Sequence, residues 1–127
     1  MFKLVTSSFT AITLSIFLLN GCVDHSEALK VLPNELAIAD QCKNTNAKYE
    51  MDCYDLISYK NSFAQLRLGL NAQLSGNYNE ALQRYLYAKE KGNFYVNSLL
   101  AELYNNGFGV EKNEETVIKL LEEVKDV

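Results

Sequence analysis

The chain has 127 residues, enough for one domain, with 12 basic and 16 acidic side chains and a formal net charge of −4. Nucleic acid binding calls for clustered Lys and Arg, so this mildly acidic composition predicts no nucleic acid partner. Six glycines and one proline are too few for a disordered tail and favour an ordered helical domain.

The first residues have the layout of an export signal. Lys3 supplies a positive start, residues 4–21 carry no charge, and residues 12–19 are strongly apolar. This pattern is typical of a cleaved signal peptide, which we expect over residues 1–21. The alternative is an uncleaved transmembrane helix over residues 4–23, close to the roughly 20 apolar residues that a bilayer requires.

The apolar segment ends in Leu19-Asn20-Gly21-Cys22, which resembles the lipobox of bacterial lipoproteins. The resemblance implies cleavage after small Gly21 and transfer of a diacylglycerol to the thiol of Cys22. Residues 22–33 would then form a lipidated tether between the membrane and the domain. Two or more acyl chains anchor a protein stably in a membrane. The covalent lipid on Cys22 is the only cofactor that we expect, and the membrane is then one of the partners.

The same resemblance bears on location. In enteric lipoproteins, an Asp directly after the lipidated cysteine resembles the signal for retention in the inner membrane. This chain has Val23 at that position, followed by Asp24. We therefore expect the outer membrane, with the domain facing the periplasm. Plain secretion without a lipid is the remaining alternative.

Three cysteines are an odd number for an exported protein, and lipidation of Cys22 leaves Cys42 and Cys53 as a pair. An oxidising compartment favours a disulfide between them. A zinc site normally needs four ligands, and the chain has no second cysteine pair or histidine cluster, so we expect no metal. A redox pair of the C-x-x-C type requires closer spacing.

Residues 34–61 are predicted to form an N-terminal helical cap that contains this disulfide. Asn34 can cap a short helix that continues through Asp40. A second helix is expected over residues 47–59. Its inner side is expected to hold Tyr49, Cys53, Leu56 and Ile57.

Four more helices are predicted over residues 62–127 from the helical spacing of apolar residues and from capping residues. The expected N-terminal caps are Ser62, Asn77, Asn93 and Asn113. Glycines that can take a left-handed conformation follow three of these helices, at Gly76, Gly92 and Gly107. Apolar residues expected on the buried faces include Phe63, Leu66, Leu70, Leu74, Leu82, Tyr85, Leu86, Val96, Leu100, Leu103, Val117, Ile118, Leu120, Leu121 and Val124.

These four helices align with one another as two hairpins. Gly69 and Ala101 occupy equivalent positions, and the spacing from Gly69 to Tyr85 resembles the tetratricopeptide pattern. Residues 100–110, with Gly107, Gly109 and Val110, resemble the Sel-one-like repeat. The resemblance implies an all-α fold: a short α-solenoid of two helical hairpins behind the N-terminal cap. An unrelated four-helix arrangement is the alternative.

Repeat solenoids act as interaction scaffolds, so another protein is the expected partner. In the tetratricopeptide layout, the first helix of each hairpin lines the concave surface. Carried over to this chain, that layout predicts partner-binding residues at Gln73, Tyr95, Ser98, Glu102 and Asn105, with Phe63 either beside them or in the core.

No catalytic activity is expected. The sole histidine, His25, falls in the predicted tether, so no nucleophile, histidine and acid can assemble. Gly107 and Gly109 lack the preceding strand and following Lys of a phosphate-binding loop. The expected function is a lipid-anchored protein interaction module of the cell envelope. Two alternatives are a periplasmic immunity protein that neutralises a toxin and a structural lipoprotein of a secretion or pilus assembly.

Overall fold

The computed structural model describes residues 32–125, most of which are helical and none of which form a β-strand. This confirms the predicted all-α class for that part of the chain. The predicted signal peptide, Cys22 and nearly all of the predicted tether lie outside the described residues. The helices are α1 at 32–40, α2 at Ala47–Ile57, α3 at Ser62–Leu74, α4 at Tyr78–Glu90, α5 at Val96–Asn106 and α6 at Glu114–Glu122, and a 3-10 turn at Ser58–Lys60 precedes α3.

Two helical hairpins, α3 with α4 and α5 with α6, make up most of the packing, and α4 joins them by lying against α5. Small residues allow the helices to approach closely. The shared core of the two hairpins consists of Ala72, Ala81, Tyr85, Ala88, Val96, Leu100, Ala101, Leu103 and Leu120. Membership of a repeat family stays a prediction.

The N-terminal helices cover α3 on its other side. Their cluster contains Leu32, Ala39, Cys42, Tyr54, Phe63, Ala64 and Leu68. A buried polar chain ties these parts together at the start of α3. The Ser62 hydroxyl donates to the Glu35 carboxylate at 2.6 Å, and the Asn93 amide donates to the Ser62 oxygen at 3.1 Å. One serine therefore connects α1 to the turn between the two hairpins.

Cys42 and Cys53 form a disulfide, as predicted, with their Cα atoms 5.5 Å apart. Cys42 is buried just after α1, and Cys53 lies within α2. The bond therefore fixes the loop between these two helices.

The predicted caps are correct for two helices and displaced for two. Asn77 and Asn113 accept hydrogen bonds from the first turns of α4 and α6. Asn61, not Ser62, caps α3, because the Ser62 hydroxyl is used by Glu35. Asn93 does not cap α5 directly. That helix begins after Tyr95, whose backbone N–H donates to the Asn93 side chain.

The start of α1 also differs from the prediction. Leu32 and Pro33 are already helical, so Asn34 lies inside the helix rather than capping it. A proline is tolerated in the first turn of a helix, where its missing N–H has no intrahelical acceptor. Burial of Leu32 against the N-terminal cluster accounts for this extension.

The predicted inner side of α2 is wrong for Tyr49 and Leu56, which are 67% and 76% exposed. Tyr54 is the buried residue of this helix, because the disulfide at Cys53 and the contact with α3 turn that side inward. Four residues expected on buried faces elsewhere are exposed instead: Leu74, Leu86, Ile118 and Leu121.

Candidate protein-binding face

The predicted partner-binding residues of α5 lie on one side of that helix. We call this surface, together with the adjoining side of α3, the α3/α5 face; it comprises Phe63, Gln73, Tyr95, Ser98, Glu102 and Asn105. Residues three and four positions apart share a helix face, which is why the α5 members line up. Tyr95, Ser98, Glu102 and Asn105 are all exposed in the structure.

An aromatic pair occupies one end of the α3/α5 face. The rings of Phe63 and Tyr95 are tilted by 45°, with centroids 5.6 Å apart. Phe63 is buried, whereas Tyr95 is 69% exposed. The Asn93 side chain accepts from the Tyr95 backbone N–H at 3.1 Å, which holds this residue at the start of α5. The result is an exposed tyrosine whose position is set by a buried neighbour.

A polar group occupies the other end. The Tyr85 hydroxyl, which comes from α4, donates to the Gln73 side-chain oxygen on α3 at 2.7 Å. Burial, followed by the negative charge of Glu102, raises the pKa of Tyr85 to about 12. The hydrogen bond from the Tyr85 hydroxyl, rather than the shifted pKa, is what holds Gln73 in place. The carboxylate of Glu102 makes no ion pair with the rest of residues 32–125.

The structure thus brings Gln73 and Glu102 to one end of the face and Phe63 and Tyr95 to the other. Since the starts of α3 and α5 lie together at one end of the face, these two helices run in the same direction. Sequence reasoning placed Tyr85 in an apolar stripe and missed that its hydroxyl bonds Gln73 within the electrostatic influence of Glu102. No local pattern shows this link, because the three residues belong to three helices.

Residues 32–125 contain no group of three His, Cys, Asp or Glu side chains that could hold a metal ion. An open groove of about 660 Å³ lies between α2 and α3, with Met51, Tyr54, Arg67 and Leu74 in its lining. The Arg67 guanidinium there is already paired with Asp40 and donates to the Tyr54 hydroxyl at 3.2 Å. The hydrogen-bond donors of Arg67 are therefore used for packing within the N-terminal helical cap.

Nothing in residues 32–125 has the length and hydropathy of a membrane-crossing helix.

Comparison with known proteins yields one informative match. No protein-family model matches the chain, and no solved structure matches it. An exopolysaccharide production negative regulator of Rhizobium meliloti (strain 1021) is 37% identical over 62 residues. The match takes in 49% of this chain and 23% of that protein. The chain thus spans less than a quarter of its relative's length.

Proposed function

We propose that this protein is a non-enzymatic, lipid-anchored interaction module of the bacterial cell envelope, and that it binds another protein through the α3/α5 face. The observation that carries the proposal is the placement of Tyr95. An exposed aromatic ring that rests on a buried one loses little freedom on binding, and tyrosine is among the residues that dominate binding energies at protein interfaces.

The polar end of the face supports the same reading. Glu102 offers an unpaired carboxylate about two helical turns from Tyr95, and Ser98 and Asn105 add polar groups on the same side of α5. Aromatic and polar groups on a rigid helix suit protein recognition. The partial relative in Rhizobium meliloti is described as a regulator, which is compatible with a role in binding rather than in catalysis.

Site-specific photo-crosslinking in intact cells tests the binding face. We expect a photoreactive amino acid at position 95 or 102 to form an adduct with one specific protein. The identity of that protein separates an envelope adaptor from an immunity protein or an assembly component. Tyr49 on α2 is the matched control site, because it is 67% exposed, nearly the same as Tyr95. Adducts of equal yield from position 49, or none from positions 95 and 102, would contradict the proposal.

Affinity for the captured protein gives a second measurement. Tyr95→Ala should weaken binding by about thirtyfold, the loss of roughly 2 kcal/mol typical of an interface hot spot. Tyr49→Ala should leave the affinity unchanged. Equal effects of the two substitutions would argue against the α3/α5 face.

Replacement of Cys22 tests the anchor separately. If Cys22 carries the lipid, Cys22→Ala should move the protein from the membrane fraction to the soluble fraction, because the acyl chains supply the membrane affinity. Fractionation after an alkaline carbonate wash measures this change. A variant that stays in the membrane would favour the uncleaved transmembrane helix instead.

A further inference from the structure

The side of α6 that faces away from the core carries a short apolar strip. Ile118 is 58% exposed and Leu121 is 43% exposed. Leu120, on the opposite side of the helix, is buried against the hairpins. Among residues 32–125 no helix covers Ile118 and Leu121, although they are the apolar side chains that helices normally bury.

Comparison of α6 with α4 shows what kind of neighbour fits this strip. Both helices begin at an asparagine cap, Asn77 for α4 and Asn113 for α6. Counted from the cap, Ile118 and Leu121 correspond to Leu82 and Tyr85. Tyr85 packs against Gly69 of the neighbouring helix α3, and Leu82 is partly buried against the core of the two hairpins. The equivalent positions of α4 thus pack against other helices, whereas those of α6 are exposed.

Charges at the two ends of the strip indicate which helix packs against it. Glu114, Ile118, Leu121 and Lys125 are spaced so that they share one face of α6 and of the turn that follows it. The strip thus runs from an acidic end, through two apolar residues, to a basic end. Neither Glu114 nor Lys125 makes an ion pair within the described part of the chain.

This order is self-complementary. When two copies of the strip lie antiparallel, Ile118 of each meets Leu121 of the other, and each Glu114 meets a Lys125. Such an arrangement is the isologous contact of a two-fold symmetric dimer. We propose that a second copy of this chain occupies the outer face of α6, as an antiparallel helix pair. The pair adds a homodimer contact that is separate from the α3/α5 face.

A single helix pair buries less area than a standard interface, so the contact belongs to the weak class and is best measured in the cell. Two differently tagged copies of the full-length chain, one with Glu114→Cys and one with Lys125→Cys, should form a disulfide-linked dimer on oxidation in intact cells. Two copies with Glu114→Cys should not cross-link, because antiparallel packing separates these sites by ~16 Å. Gln83→Cys, on exposed α4 surface, is the matched control.

Charge exchange provides the second arm. Glu114→Lys should lower the yield of an Ile118→Cys to Leu121→Cys cross-link by roughly threefold to tenfold, since it places like charges together twice in the dimer. Adding Lys125→Glu should restore the yield. All four sites are exposed, so these changes leave the fold intact.

Three results would overturn the homodimer. The first is that two Glu114→Cys copies cross-link as efficiently as a Glu114→Cys copy with a Lys125→Cys copy. The second is that this mixed pair gives no more cross-linked dimer than the Gln83→Cys control, and the third is that the cysteines form adducts only with a different protein. None of them bears on the adducts at positions 95 and 102, so the proposed function is tested independently.

Discussion

Gly69 sets the distance between α3 and α4. A Cβ atom at this position would lie 2.5 Å from Cε1 of Tyr85 and 3.3 Å from Cβ of Arg84. Glycine normally costs an α-helix about 1 kcal/mol relative to alanine. At this residue that cost is outweighed, because the absent side chain leaves the space for the fully buried ring of Tyr85.

Gly69→Ala should therefore lower the free energy of unfolding by about 1–3 kcal/mol, the usual range for an overpacked core. Urea unfolding followed by circular dichroism measures it. The same substitution in a Tyr85→Ala background is the control, since removal of the ring opens the space and should make alanine neutral or stabilising there. Equal losses in both backgrounds would show that Tyr85 is not the cause.

At the scale of the elements, the disulfide makes α1 and α2 one unit. It closes a loop with a sequence separation of 11 residues and sets which side of α2 turns inward. Asparagine side chains begin α2, α3, α4 and α6, where they accept backbone N–H groups that have no partner within the helix. Local chemistry thus accounts for most helix starts.

The double variant Cys42→Ser/Cys53→Ser should lose roughly 3 kcal/mol of stability, because its unfolded state regains the freedom of the open loop. Urea midpoints with and without dithiothreitol measure this. The reductant should lower the midpoint of the native protein and leave that of the double variant unchanged. A native midpoint insensitive to complete reduction would refute the stabilising role.

At the scale of the whole molecule, contacts between distant residues shift pKa values, and three of these shifts affect stability at the extremes of pH. Hydrogen bonds from Arg67 and then Lys43 lower the pKa of Asp40. A hydrogen bond from Lys89 on α4 lowers the pKa of Glu123. Burial and Glu102 raise the pKa of Tyr85 to about 12. Each shift reports an interaction that the folded chain has and the unfolded chain lacks.

Stability should accordingly fall at both extremes of pH. The contributions of Asp40 and Glu123 are present above their unfolded pKa values, near 4, and are lost as the pH drops through the lowered folded values. The contribution of Tyr85 is complete below pH 10 and is lost as the pH rises towards 12. Urea unfolding across pH measures both limbs. Tyr85→Phe should reduce the loss of stability at alkaline pH, whereas the matched hydroxyl deletion Tyr49→Phe should not. An unchanged loss at alkaline pH in Tyr85→Phe would contradict the role given to Tyr85.

Much of the fold follows from local sequence. The helical class, the caps at Asn77 and Asn113, and the pairing of Cys42 with Cys53 were all predicted, because each depends on residue spacing, side-chain type or cysteine number. Predictions about burial were less accurate. Tyr49 and Ile118 have the right hydrophobicity for the core but lie outside it, since burial depends on which neighbouring element is present.

The candidate site divides in the same way. The sequence by itself determined that Tyr95, Ser98, Glu102 and Asn105 share one side of a helix, because helical periodicity is a property of the backbone. Only the tertiary structure decided that Phe63 supports Tyr95 and that the Tyr85 hydroxyl joins Gln73 near Glu102. Those contacts link residues on different helices, and the packing of small residues such as Gly69, rather than any local pattern, sets the distances between them.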